Sequence, residues 1–209
     1  MREDLTEIGL VIDESGSMHY KTSDTIGGFN TFLATQKAAP GEANLTMVKF
    51  STDYNLVHDG ADIQSVEDLT LATYIPGGGT ALFDAMSRAI TQIVARLSGI
   101  PDEKRAKNVI IVVMTDGEEN SSREVTLERL AQQVTVQQDK HGWNFIFLGA
   151  DMDAFSVGAA IGLHVGAVAK PSTVHDTYKM ADSAVSFLRS TGSVGPWKDS
   201  GEHAHGPTG

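Results

Sequence analysis

Cysteine is absent from the 209 residues, which removes disulfides, thiolate metal sites and a cysteine nucleophile together. Basic residues are few, 16 Lys and Arg against 27 Asp and Glu, for a formal charge of −11. General binders of nucleic acid or anionic membranes need a basic face. The only basic cluster, Lys104, Arg105 and Lys107, falls in a loop. No apolar run approaches the roughly 20 residues of a membrane-spanning helix. Met1–Asp4 leads almost directly into an apolar run, leaving no room for a signal peptide, so a cytoplasmic setting is expected. Several signatures of catalysis are also missing: no Gly-x-Ser-x-Gly elbow, no Gly-x-x-x-x-Gly-Lys-Ser/Thr phosphate loop and no His-Glu-x-x-His pair.

What is present begins with Ile8–Met18, IGLVIDESGSM. An apolar run from Ile8 to Ile12 stops at Asp13, and Ser15 and Ser17 follow at alternate positions. Such a run bounded by a polar, glycine-containing turn reads as a buried strand of a parallel sheet. The turn then lies beyond the strand's carboxyl end, where open α/β sheets place their ligand sites. One carboxylate and two hydroxyls form an all-oxygen set suited to a hard cation such as Mg²⁺. The same residue types also make turns and helix caps, and this stretch alone does not separate the two readings.

The rest of the chain alternates strands and helices. Helical spacing over Asp24–Lys37 follows the serine turn, with Gly27-Gly28 marking close packing against the sheet. Leu45–Phe50 and Tyr54–His58 are joined by only Ser51–Asp53, too short for a parallel crossover, and so form an antiparallel hairpin at a sheet edge. Ile63–Leu71 is a polar connector. Gly77–Gly79 and Thr80 lead into a helix over Ala81–Leu97 with a clear apolar stripe. Val109–Met114 is the most β-branched run and the candidate central strand, ending in Thr115-Asp116-Gly117. A helix over Val125–His141, a strand over Trp143–Leu148, a short helix over Asp153–Ile161, a strand over Leu163–Val168 and a helix from Val174 to Leu188 complete the order. The expected fold is α/β: a doubly wound, mostly parallel central sheet with one antiparallel edge strand and helices on both faces. Residues 1–190 make one domain, and 191–209, rich in Gly, Ser, Pro and His, a flexible tail.

In such a sheet the carboxyl ends of the first and fourth strands share one edge. Asp13, Ser15 and Ser17, then Thr80, then Asp116 are therefore the candidate metal-binding residues. Taken singly, Thr80 reads as a helix N-cap and Asp116 as a turn residue; their joint occurrence carries the inference. DESGSM at 13–18, GGGTALFDA at 77–85 and VVMTDGEEN at 112–120 resemble the three parts of the metal-ion-dependent adhesion site of von Willebrand factor type A domains, above all short stand-alone bacterial and phage forms. The resemblance implies direct Mg²⁺ ligation by Ser15, Ser17 and, in one state, Thr80. Asp13 and Asp116 would act through coordinated waters, and Mn²⁺ or Ca²⁺ are alternative ions. It further implies a non-enzymatic module that grips an Asp or Glu carboxylate of a protein partner, such as an ATPase or a phage or host component, with virion association as a variant of the cytoplasmic setting. The competing reading is a Mg²⁺-dependent hydrolase or phosphotransferase. An aspartyl-phosphate enzyme would want a second carboxylate two residues after Asp13, where Ser15 stands.

Other candidates are weaker. Glu118 and Glu119 read as solvated loop carboxylates that could rim the site. Asp84 reads as complementing a helix N-terminus, and Asp151 and Asp153 as caps of the short helix. Glu202, His203 and His205 lie in a tail with no fixed geometry.

Overall fold

The computed structural model describes residues 1–149, 154–163 and 168–192. Asp151, Asp153, the Glu202–His205 group and the expected tail beyond its first two residues lie outside them; of those two, Thr191 ends the last helix and Gly192 caps it.

Six strands form one sheet in the order β3-β2-β1-β4-β5-β6. They are β1 (Arg2–Asp13), β2 (Glu42–Phe50), β3 (Tyr54–Asp62), β4 (Ala106–Thr115), β5 (Asn144–Gly149) and β6 (Val168–Ala169). Only β2 and β3 pair antiparallel, as the hairpin at one edge; all other neighbours are parallel. The connecting helices are α1 (Thr22–Ala38), α2 (Leu82–Ser98), α3 (Leu127–His141), α4 (Ala154–Ala160) and α5 (Val174–Thr191).

The central strands read as continuous apolar runs because both of their faces are covered. Ile8, Leu10 and Ile12 of β1 and Ile110, Val112 and Met114 of β4 share one core with Phe29, Phe32 and Leu33 of α1 and Tyr178, Ala181 and Val185 of α5. The alternate residues Val11, Val109, Ile111 and Val113 share the other core with α2, through Leu82, Met86, Ile90 and Ile93, and with α3, through Leu130 and Val134. This two-residue alternation fixes the register, since a slip of one residue would exchange the two cores. That register sets Ile12 beside Met114, which brings the carboxyl ends of β1 and β4 level.

Several expected bounds shift. β1 reaches back to Arg2, whose guanidinium is bonded to Asp4 and Glu42. A 3-10 turn over Gly16–Lys21, absent from the sequence reading, joins the serines to α1. The expected strand over Leu163–Val168 is placed at Val168–Ala169, with 164–167 outside the described residues. α3 stops where expected, with Gly142 in the left-handed region at φ 66° accepting the chain reversal. No helix among the described residues is long and apolar enough to cross a membrane.

The Gly27-Gly28 pair works differently from expectation. Gly28 packs against α5 rather than the sheet: a β-carbon there would stand 2.3 Å from Tyr178 Cδ2, whereas one at Gly27 would meet nothing within 4 Å. Gly28→Ala should therefore destabilise by about 2 kcal/mol. Gly27→Ala should stabilise by roughly 0.5–1 kcal/mol through helix propensity alone. Urea denaturation of the two variants checks the opposite signs.

A buried ion pair at the other end of the sheet was not anticipated. Glu7, fully buried in β1, accepts from Thr46 Oγ1 at 3.0 Å and from the Arg96 guanidinium of α2, and Arg96 Nε also donates to Asp59 at 3.0 Å. Burial pushes the Glu7 carboxyl up to about 7, against the opposing pull of Arg96. A raised carboxyl favours the folded state below its unfolded value, near 4.5, and that contribution is lost as pH rises through about 7. Glu7→Gln should remove a loss of roughly 2 kcal/mol between pH 5 and 8. The check is the difference in unfolding free energy between wild type and variant across that range.

Candidate metal centre

The end of β1 places Asp13 completely out of water. Its carboxylate accepts from the Ser15 amide at 2.7 Å through Oδ1 and from Thr115 Oγ at 2.6 Å through Oδ2. Tyr74 donates its hydroxyl to the Asp13 carbonyl at 2.6 Å. The local turn reading of Asp13 is thus realised, and the same bond directs Ser15 inward. Ser15 Oγ lies 2.9 Å from Ser17 Oγ, and Ser17 donates to Asp116 Oδ1 at 2.7 Å. Ser15, Thr80 and Asp116 are buried while Ser17 is exposed, so the group opens to solvent at Ser17.

Thr80 arrives from the loop before α2. A β-carbon built on Gly117 would meet Thr80 Oγ1 at 3.0 Å, Ser17 Oγ at 3.4 Å and Asp13 Oδ2 at 3.7 Å. Three oxygens from two segments therefore face one point beside Gly117, which leaves it clear. The capping role expected of Thr80 taken singly goes elsewhere. Glu119 Oε2 accepts the Phe83 amide at 3.0 Å, and Ser122 Oγ accepts the Asp84 amide at 3.1 Å. Asp116 is likewise no simple turn former, since Thr115 Oγ1, not Asp116, accepts the Gly117 amide.

The acidic neighbours are held off the site. Glu14, between Asp13 and Ser15, accepts from Lys49 Nζ at 2.7 Å and from the Ile75 amide at 2.7 Å. Glu119 is no solvated rim residue: it also accepts the Ser121 and Ser122 amides at 2.8 and 2.7 Å. Asp84 accepts the Arg123 amide at 2.8 Å and the Val125 amide at 2.9 Å, pinning the loop that follows β4. Glu118 alone of these is exposed. The sequence carried no signal for the Glu14 and Asp84 bonds, because their partners are distant or are backbone groups.

Burial is the main reason the Asp13 carboxyl is pushed above its ordinary value, opposed by its hydrogen bonds and reinforced by the charge of Asp116. Lys21, at the end of the 3-10 turn, sets its Nζ 2.5 Å from Asp116 Oδ2. Among the described residues no three His, Cys, Asp or Glu side chains group as metal ligands; the donors gathered here are two carboxylates and three hydroxyls.

Solved structures share this fold. Proximal thread matrix protein 1 from the mussel byssus superposes with a TM-score of 0.60 at 16% identity, over 88% of this chain and 46% of that one. Another form of it, described as having a zinc-occupied MIDAS motif, gives 0.57 at 18% identity over 88% and 46%. Manganese-loaded TRAP protein of Plasmodium vivax gives 0.58 at 14% identity over 88% and 73%. At such identities the likeness carries the fold alone, and the chain spans about half the length of the mussel protein. These sources lend no particular support to a phage or bacterial stand-alone form. No curated protein sequence matches the chain. The family model for the von Willebrand factor type A domain matches residues 7–168, a span that holds the whole oxygen cluster and every helix but α5, and the chain belongs to that family.

Proposed function

We propose that this chain is a metal-dependent protein-binding module whose cation sits among Asp13, Ser15, Ser17, Thr80 and Asp116. The observation that carries the reading is the convergence of these oxygens at one sheet edge, open to solvent at Ser17. The residues fit a cation. Two carboxylates, Asp13 and Asp116, lie close enough that the charge of Asp116 adds to the burial that raises the Asp13 carboxyl, and an ammonium already sits on Asp116. Hydroxyl and carboxylate oxygens select hard ions, Mg²⁺ first, with Mn²⁺ or Ca²⁺ as alternatives.

When bound, such an ion supplies a Lewis-acidic position for a further oxygen, which an Asp or Glu of a partner protein would fill. The chain's own part is to hold the donors. Asp13 fixes Ser15 through the backbone, Thr115 fixes Asp13, and Gly117 keeps the opening clear. Neutral hydroxyls nearest the ion leave its charge undercompensated, which favours an anionic partner.

Binding fits better than hydrolysis or phosphotransfer. Tyr20, 97% exposed, Leu71, 74%, and Ile75, 69%, are the most exposed large apolar side chains among the described residues. Tyr20 stands on the 3-10 turn that carries Ser17, and Ile75 donates its amide to Glu14 beside Asp13, which suits a protein surface rather than a small phosphoester. Ser15 and Ser17 bond each other, Ser17 also donates to Asp116, and among the described residues no histidine bonds either hydroxyl to activate it.

Calorimetric titration with Mg²⁺ and Mn²⁺ tests the assignment. Asp13→Ala should abolish binding, and Thr80→Ala should weaken it roughly tenfold, the loss of one oxygen ligand. Thr80→Ser should bind like wild type. Circular dichroism checks that each variant is folded. Equal affinity in wild type, Asp13→Ala and Thr80→Ala would sink the reading.

A further inference from the structure

Among the described residues Lys21 is the one cationic side chain bonded to the oxygen cluster. Its Nζ lies 2.5 Å from Asp116 Oδ2, while Oδ1 of the same carboxylate accepts from Ser17. The Asp116 side chain is 4% exposed and that of Lys21 29%, so the pair is shielded on the carboxylate's side and open to water along the lysine stem. Asp116 also raises the energy of the ionised Asp13 carboxylate. Two anions beside each other in a water-poor setting require compensation, and Lys21 provides it in this structure.

We propose that Lys21 is a tethered competitor that sets the affinity of the site for its divalent cation. The inference rests on the metal-site reading above. An ion among Asp13, Ser15, Ser17, Thr80 and Asp116 would draw on the carboxylate that Lys21 neutralises, and the two positive charges would repel at short range. Metal entry therefore requires Lys21 to leave Asp116. The position suits that role. Lys21 closes the 3-10 turn that begins at Gly16, only four residues beyond Ser17, so the competitor and two of the ligands travel on one short segment. Lysine's flexible four-carbon stem lets the ammonium withdraw to water without moving the backbone.

The consequence is a trade. In the metal-free protein Lys21 stabilises the cluster of oxygens; in the loaded protein the same charge weakens the ion's hold. Replacing Lys21 by an uncharged side chain of similar length should shift both quantities, in opposite directions.

The test compares wild type, Lys21→Met and Lys21→Arg by calorimetric titration with Mg²⁺ and Mn²⁺, and by thermal unfolding in EDTA and in excess metal. Lys21→Met should bind either ion roughly tenfold more tightly, as expected when a nearby like charge is removed. It should melt lower than wild type in EDTA, and its melting temperature should rise further on adding metal. Lys21→Arg keeps the charge and should keep near-wild-type affinity, which separates charge from packing. Equal or weaker metal binding by Lys21→Met, with wild type binding normally, would overturn the competitor role and leave the metal site standing. Absence of Mg²⁺ and Mn²⁺ binding in both proteins would overturn the metal site and, with it, the competitor.

Discussion

The carboxylate of Asp13 lies wholly out of water at the end of the central strand, and its neighbours replace the donors that water would have given. The Ser15 amide and the Thr115 hydroxyl each contribute one bond, and Tyr74 anchors the backbone carbonyl. Even so, burial outweighs these bonds and pushes the carboxyl above its ordinary value. A buried carboxylate beside a second one is costly unless positive charge is near. That need accounts for the layout of this end of the molecule: hydroxyls turned inward, a glycine where a side chain would intrude, and Lys21 reaching over Asp116. On the proposed function a divalent ion would answer the same need.

The other acidic side chains at this end do a different job. Glu14, Glu119 and Asp84 spend their oxygens on backbone amides or on Lys49, and so hold three loops in place around the cluster. Their bonds reach from the segment after β1 to the loop before α2 and across to the loop after β4. On the proposed function these held loops would let a partner carboxylate meet one fixed set of oxygens without ordering the site first. At the opposite end of the sheet, Glu7 and Arg96 join β1 to α2. A strongly acidic chain thus uses several of its carboxylates as fasteners.

Most of the architecture was legible because both faces of the sheet are covered. The runs at Ile8–Ile12 and Val109–Met114 had to be apolar throughout, and the brevity of Ser51–Asp53 forced the hairpin. What was misread had no local signal. The Gly27-Gly28 pair looks symmetrical in sequence, yet only Gly28 meets Tyr178, about 150 residues away, because α1 and α5 happen to cross there. Glu7 carries no local sign of its partner, since nothing nearby in sequence reveals that α2 will bring Arg96 to it.

By itself the sequence named the oxygens that could meet. Parallel strands share one carboxyl edge, which puts the segments of Asp13, Ser15 and Ser17 after β1, Thr80 before α2 and Asp116 after β4 at the same end of the sheet. Tertiary structure alone decided which carboxylates face inward. Asp116, Glu119, Asp84 and Glu14 carry the same chemical group and lie equally near the motif segments in sequence. Their orientations follow from partners supplied by other segments: Ser17 and Lys21 for Asp116, the start of α2 for Glu119, the 123–125 amides for Asp84, and Lys49 for Glu14. A hydrogen bond closes only when the fold has brought both ends together, so sequence could name the candidates and only the packed molecule could choose among them.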